Sequence, residues 1–461
     1  MVSTLSVTVK AESLPFFTSI NKNPDGTFTL DVLGIINSTY EEQYELIKLV
    51  NNMLAMSSDS RSAPLNGVFV TAIVKFLDSK NETIKHESAK TVFSIASNST
   101  ESVHLLVQEG TILPLLNILR KNDDIFLNGI SLNVLTIIIQ NDFVEVNEET
   151  KSKIVSALID FLETEPSDDF HILVTINILT NMFKNMNHQL SSETVNTLLP
   201  YILTFFKHAN PRVASDSCFA LGVLTLNDNE KYHLTFENDA IFDLLQLSKS
   251  KNEITQLRAL MVLGNIVGEE NDEQIQYIFN HGILESIKDV LKNPVYENVL
   301  LSSNFFPKFL MGSQKQKYME KIIQSEAFAI FVNLYANENI QIQMHIAGTL
   351  MLITHNGNIE HILMLQQQKL LPAFCNLLIK AEKIGDKKMI FKVLAGIYGV
   401  TLKAAQEHEC LIFEELEKYG VVETVEQIAS DYGEKDIQIM VKGIISFFNF
   451  HHANSTCLKR Y

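Results

Sequence analysis

Gly110-Thr111-Ile112-Leu113-Pro114-Leu115-Leu116-Asn117-Ile118-Leu119 decides the fold, because its wording recurs along the chain. An anchor residue is followed by apolar residues at offsets +2, +5 and +8, usually with +6 and +9 apolar as well. Gly110 leads Ile112, Leu115, Leu116, Ile118 and Leu119; Lys153 leads Val155, Leu158, Ile159, Phe161 and Leu162; Gly282 leads Leu284, Ile287, Val290 and Leu291. Offsets of three and four trace one face of a helix. The anchors are Val68, Gly110, Lys153, Thr197, Asp239, Gly282, Glu326, Lys369 and Gly420, separated by 42, 43, 44, 42, 43, 44, 43 and 51 residues. A fixed period of this length is the mark of a repeat array, in which no unit buries its apolar face alone.

Each such helix is followed by a polar break, such as Lys121 to Asp124 or Ser248 to Lys251, and then by a longer apolar helix. A short helix precedes most anchors, as in Val103 to Val107 and Ile275 to Ile278. Three helices per unit at this period predict an all-α, armadillo-repeat, right-handed superhelical solenoid of nine to ten three-helix repeats. The wide last spacing predicts a charged surface loop at residues 379–390, with room for an extra unit within Ile384 to Glu407. Residues 1–30, with the turn signal Asn23-Pro24-Asp25-Gly26, read as an N-terminal arm without fixed structure, and Glu41 to Met56 as an amphipathic helix of a capping segment at 31–60. The array then occupies 61–450 and a tail 451–461.

Composition fits an array better than a globule. The 461 residues exceed what one core sustains, about 250 to 300, and only 18 Gly and 10 Pro punctuate them. A formal charge of −17, from 37 basic and 54 acidic residues, argues against a nucleic-acid or anionic-membrane surface and for a basic partner. Cys218, Cys375, Cys410 and Cys457 are too scattered for a disulfide framework or a zinc cluster, and the N-terminus has no secretory pattern, so a reduced cytoplasmic or nuclear chain is expected. No run of eighteen apolar residues spans a membrane.

The wording of the repeats resembles that of the importin α nuclear-import adaptors. Glu87-Ser88-Ala89-Lys90-Thr91-Val92-Phe93-Ser94-Ile95-Ala96 leading to Gly110-Thr111-Ile112-Leu113-Pro114-Leu115 is similar to that family's third helix, polar loop and Gly-x-Ile-Pro-x-Leu. Arg258-Ala259-Leu260-Met261-Val262-Leu263-Gly264-Asn265-Ile266-Val267, running into Asn280-His281-Gly282-Ile283-Leu284, is closer still, and Leu416 to Val422 with Gly443 to Phe448 looks like the last repeat. The likeness covers residues 40 to 450.

The resemblance implies an adaptor that holds an extended cargo segment of nuclear-localisation type in a concave groove for nucleocytoplasmic transport. Its implied partners are cargo peptides, basic in the family, and an importin-β-type carrier. In that family each third helix offers a Trp and, four residues on, an Asn: the amide pins a peptide backbone and the indole forms a slot for Lys or Arg stems. A constant offset of 22 from each anchor, 24 in the third unit, puts Lys90, Leu132, Asn177, Phe219, Met261, Asn304 and Gly348 at the Trp positions, and Ser94, Thr136, Asn181, Val223, Asn265, Lys308 and Leu352 at the Asn positions. The chain contains no Trp. Asn181 and Asn265 are therefore the expected contacts to cargo backbone, Phe219 and Met261 weaker apolar slots, and Ser94, Asn177 and Asn304 further groove residues. The family's basic N-terminal segment has no counterpart in residues 1–60, whose only basic residues are Lys10, Lys22 and Lys48, so carriage by importin β through that segment is not expected.

No enzyme is expected, since no glycine-rich phosphate loop, Walker motif or nucleophile elbow appears. No cofactor or metal is expected either: His451 and His452 would point about 100° apart on a helix, and no HExxH or CxxC spacing exists. The alternative to a transport adaptor is an armadillo scaffold for a different, folded or acidic, protein partner. A neutral or basic groove centred on Lys90 and Lys308 would favour that alternative, and an acidic groove the first reading.

Overall fold

In the computed structural model the described residues are 6–9, 20–22, 28–56, 67–141, 146–164, 168–184, 191–226, 238–267, 272–292, 296–311, 315–336 and 339–458. The chain forms two compact units, Met1–His233 and Leu234–Tyr461.

The first unit opens with an antiparallel sheet of three short strands, β1 (Ser6–Val9), β2 (Ile20–Lys22) and β3 (Phe28–Asp31), in the order β1-β3-β2 with Ser6 opposite Asp31 and Ile20 opposite Leu30. These strands fall in the stretch read from sequence as an unstructured arm. Asp31 ends the sheet and starts the helical array, its carboxylate accepting from Gly34 N–H at the head of α1 (Val32–Ile36).

Helices α1 and α2 (Tyr40–Met56) stack on α3 (Gly67–Phe76) and α4 (Glu82–Ala96), the second and third helices of the first repeat. The next repeat is complete: α5 (Thr100–Gln108), α6 (Ile112–Lys121) and α7 (Ile125–Gln140). The axes of α5 and α6 meet at 76°, a corner turned at Gly110 with φ of +79°. In the third and fourth repeats a single helix, α8 (Glu148–Glu163) or α10 (Ser192–Thr204), leads to the third helix, α9 (Asp169–Lys184) or α11 (Pro211–Leu226).

The second unit repeats the plan: α12 (Asn238–Leu247) with α13 (Glu253–Val267); α14 (Asp272–Asn280), α15 (Ile283–Leu291) and α16 (Tyr296–Met311); α17 (Lys315–Ile323), α18 (Glu326–Asn333) and α19 (Ile340–Asn356). Then come α20 (Ile359–Gln367), α21 (Leu371–Ile384) and α22 (Lys387–Gln406), and α23 (Cys410–Lys418), α24 (Val421–Asp431) and α25 (Lys435–Leu458). All nine anchors fall at or near the start of a second helix. The last helix continues past residue 450 to Leu458.

The expected loop at 379–390 does not exist, and neither does an extra unit within 384–407. The additional residues lengthen α21 to 14 residues and α22 to 20, leaving Gly385-Asp386 as the only break. Lys, Glu and Ala are good helix formers whatever their charge, so the charged stretch propagates helix on both sides of a left-handed glycine, φ +74°.

Third helices pack on third helices and second on second: α4 on α7, α7 on α9 and α9 on α11 in the first unit, and α13 on α16, α16 on α19, α19 on α22 and α22 on α25 in the second. Residues of the ladder, such as Leu115, Leu116, Leu119, Leu158, Ile287 and Val425, are fully buried between them. Burial of each such side chain contributes about 1.5–3 kcal/mol, and Leu115→Ala would cost about 2–5 kcal/mol through the cavity it leaves. Among the described residues no single helix is long and apolar enough to cross a membrane.

Candidate functional site

What positions the third helices is a recurring N-cap. Asn81, Asp124, Asp168 and Asn210 in the first unit, and Asn252, Asn339 and Asp386 in the second, each accept backbone N–H bonds from the first turn of the helix that follows. Such a cap satisfies donors that the helix leaves unpaired. It also fixes the rotational phase of the helix, and with it which residues face outward.

Counted from the caps, the outward positions nine residues on are Lys90, Asn133, Asn177 and Phe219 in the first unit. This corrects one expectation. Leu132, which the constant anchor offset put on the open face, is 0% exposed. The second repeat has one more residue between anchor and cap, Gly110 to Asp124, than the first, Val68 to Asn81, so the register slips and Asn133 takes the position. The signal was present in the sequence as Asp124 ahead of an apolar helix.

The outward residues of α7 and α9 are joined. Asn181 Nδ2 donates to the backbone oxygen of Asn177 at 2.8 Å and to its Oδ1 at 2.7 Å, and Gln140 Nε2 reaches the same Oδ1 from α7 at 3.4 Å. Asn133 Nδ2 donates to Gly129 O at 2.8 Å. These bonds orient the amides while leaving Asn177 Nδ2 as a donor and the Asn133 and Asn181 side-chain oxygens as acceptors. An extended backbone presents the complementary alternation of C=O and N–H.

Apolar rings flank these amides. Phe126 and Phe170 stand exposed two residues after their caps, and Phe219 is 38% exposed on α11. Lys90 Nζ sits 5.5 Å from the Phe126 centroid while pairing with Glu87 at 2.7 Å, and Ser94 Oγ donates to Lys90 O. In the second unit, Met261 and Asn265 are half-buried on α13, and Lys308 Nζ donates to Gly264 O. The Asn304 side chain lies outside the described residues.

Carboxylates on the third helices of the first unit are already engaged: Glu82 with Lys85, Glu87 with Lys90, Asp169 with Asn210 and Asp216 with Arg212, and α7 carries no ionisable residue. The face is thus one of amides and rings rather than of free acids. Glu82, His86 and Asp124 bring one ligand-type atom each within 4.8 Å of one another, but the close contact, His86 Nε2 to Asp124 Oδ2 at 2.6 Å, ties α4 to the cap of α7. His451 stacks on Phe413, with centroids 4.8 Å apart, and His452 lies 2.7 Å from Glu417, so the two adjacent histidines serve packing and an ion pair. A cleft of about 420 Å³ between α8 and α10, lined by Ser152, Ser156, Asp160, Glu193, Thr194 and Thr197, lies on the second helices rather than on this face.

Repeats of this build and period, with third helices stacked behind an outward amide-bearing face, define an armadillo-repeat protein. No family model matches the chain. It is 22% identical over 267 residues to importin subunit alpha-2 of Caenorhabditis elegans, covering 57% of this chain and 50% of the relative, and 22% identical over 290 residues to importin subunit alpha-3 of Arabidopsis thaliana, covering 57% and 49%. The match thus spans about half the length of these curated relatives. Among solved structures, an engineered protein from the Northeast Structural Genomics Consortium is similar in fold, with a TM-score of 0.67 at 16% identity over 91% of this chain and 98% of the other. The chain is a divergent, importin-α-like armadillo-repeat protein.

Proposed function

We propose that the protein is a non-enzymatic adaptor that binds an extended segment of a partner protein along its third helices, with the backbone of that segment held by Asn133, Asn177 and Asn181 in the first unit and Asn265 in the second. The observation that carries this is the amide set on adjacent helices α7 and α9, pre-oriented by its own hydrogen bonds and still offering a donor and two acceptors outward. Its likeness to importin α subunits supports a role in nucleocytoplasmic transport, between cytoplasm and nucleus, with an importin-β-type carrier as a further partner.

A second reading, a scaffold serving a partner unrelated to import, is favoured by a different observation. The carboxylates that would receive a Lys-rich signal are internally paired, and Lys90 and Lys308 stand where the family resemblance places Trp and Asn. The test is fluorescence anisotropy with a labelled library of extended peptides, followed by the Asn177→Ala/Asn181→Ala double variant. Saturable binding with a Kd on the order of micromolar, weakened about tenfold in the variant, supports the shared reading; unchanged binding sinks it. Co-elution of an importin-β-type carrier from native extract then separates the adaptor from the scaffold.

A further inference from the structure

Charge in the second unit is segregated by helix class. The third helices α19, α22 and α25 carry Lys387, Lys388, Lys392, Lys403, Lys435 and Lys442 against a single acid, Asp436. The first and second helices of the last repeat, α23 and α24, carry six acids against Lys418 alone. In a chain of net charge −17 a lysine-rich face of this kind is not a reflection of composition.

Geometry gathers these ammonium groups. Lys388, Lys392 and Lys403 share one face of α22, since steps of four and eleven residues return to the same side of a helix. Gly348 of α19 makes room for one of them: a methyl there would lie 3.9 Å from Lys392 Cδ and 3.6 Å from its Nζ, so the lysine stem rests on the bare helix. Lys403 Nζ donates to Thr354 O and His355 O at the C-terminal turn of α19. Lys387 is neutralised by Glu434 at 2.5 Å, but Lys388, Lys392 and Lys442 make no hydrogen bond or ion pair with a described residue. The half-buried His345 registers the uncompensated field, its pKa held below the ordinary value by burial and then by Lys392.

We propose that the α19–α22–α25 face is a second docking site, built for an extended acidic segment of a partner protein, with Lys388, Lys392 and Lys442 as its charge contacts. Four residues of helix rise about 6 Å, close to the roughly 6.6 Å between alternate residues of an extended chain, so acidic side chains on one edge of the segment meet successive lysines. Within a Debye length of about 8 Å the local patch dominates. A long polyanion instead feels the whole acidic molecule, which disfavours nucleic acid. The site is independent of the amide face in the first unit and extends the proposed protein-binding role to a second ligand chemistry.

The test is anisotropy on the full chain with a short labelled Asp/Glu-rich peptide, a Ser/Gln peptide of equal length and a single-stranded oligonucleotide of equal charge. The acidic peptide should bind saturably, weaken about tenfold between roughly 50 and 300 mM salt, and lose about tenfold more in Lys388→Glu/Lys392→Glu/Lys442→Glu, while Asn177→Ala/Asn181→Ala leaves it unchanged. If the triple variant does not fold, the exposed single change Lys442→Glu is read against Lys75→Glu on α3. No saturable binding, unchanged affinity on charge reversal, or tighter binding of the oligonucleotide overturns the proposal. Loss of neutral-peptide binding in the asparagine variant with acidic binding intact separates this site from the first.

Discussion

The ring of Phe374 on α21 occupies the space beside Gly396 on α22: a methyl at Gly396 would fall 1.9 Å from Phe374 Cζ and 2.3 Å from Cε1. Both residues are buried, and this contact sets how closely the second and third helices of that repeat approach. Gly396→Ala therefore overpacks the site. A cost of about 1–3 kcal/mol is expected to exceed the roughly 1 kcal/mol that alanine gains in a helix. Gly264→Ala is the contrast, since its methyl would stand 3.4 Å from Phe305 and helix propensity should win or draw. Urea denaturation of both variants decides it; a Gly396→Ala protein as stable as its parent would show that the interface yields.

The corner between first and second helices is left-handed in four repeats, at Gly110, Gly282 and Gly420 with φ of +79°, +93° and +72°, and at Lys369 with φ of +57°. An L side chain in that region costs about 1–2 kcal/mol relative to glycine. Lys369→Gly should thus stabilise the second unit by about 1 kcal/mol and Gly282→Ala destabilise it by a similar amount. Opposite signs in the two denaturation midpoints are the expected result, and equal signs would contradict the corner geometry.

These corners explain why the fold was legible. Three anchors are glycines because the chain turns there, and the apolar spacing after each records the face that must be buried on its neighbours, so local pattern and stacking agree. Residues 379–390 misled because charge was read as loop, whereas Lys, Glu and Ala extend α21 and α22 until Gly385 and Asp386 stop them. The candidate face was half legible: Asn177 and Asn181 were found from the anchor spacing, but Asn133 was displaced by Leu132 because helix phase is set at the cap, Asp124, and not at the corner fourteen residues earlier. The lysine face of α22 and α25 was not legible at all, since separate helices bring those residues to one side only through stacking.

Asp124 accepts from the N–H groups of Phe126 and Leu127 and pairs with His86. Burial alone would raise its pKa, but these hydrogen bonds and the neighbouring imidazole hold it below the ordinary carboxylate range. A depressed carboxylate contributes stability that is present above its unfolded pKa, near 3.9, and lost as pH falls through the lower folded value. Asp124→Ala should cost about 1–2 kcal/mol at neutral pH through the lost cap, and its deficit relative to the parent should shrink in acid. Asp124→Asn should retain most of the cap. Denaturation midpoints at pH 7 and near pH 3 check this, and a deficit that grows on acidification would reverse the sign.

The cysteines give each unit its own reporter. Cys218 and Cys375 are fully buried, and burial, with Glu415 nearby, pushes the Cys375 thiol up to about 12; Cys410, at the start of α23, is partly exposed. Only the thiolate attacks a disulfide reagent, so at pH 8 about one Cys375 in ten thousand is reactive even before access is considered. In a Cys457→Ser background, native protein should therefore label rapidly at Cys410, and at Cys218 and Cys375 only as fast as their units open. Gly396→Ala, which strains the packing of α21 on α22, should then accelerate labelling of Cys375 and leave Cys218 unchanged. Peptide mass mapping of a labelling time course reads all three sites at once; parallel acceleration at Cys218 would mean that the two units open together, and Cys375 reacting as fast as Cys410 in native protein would contradict its burial.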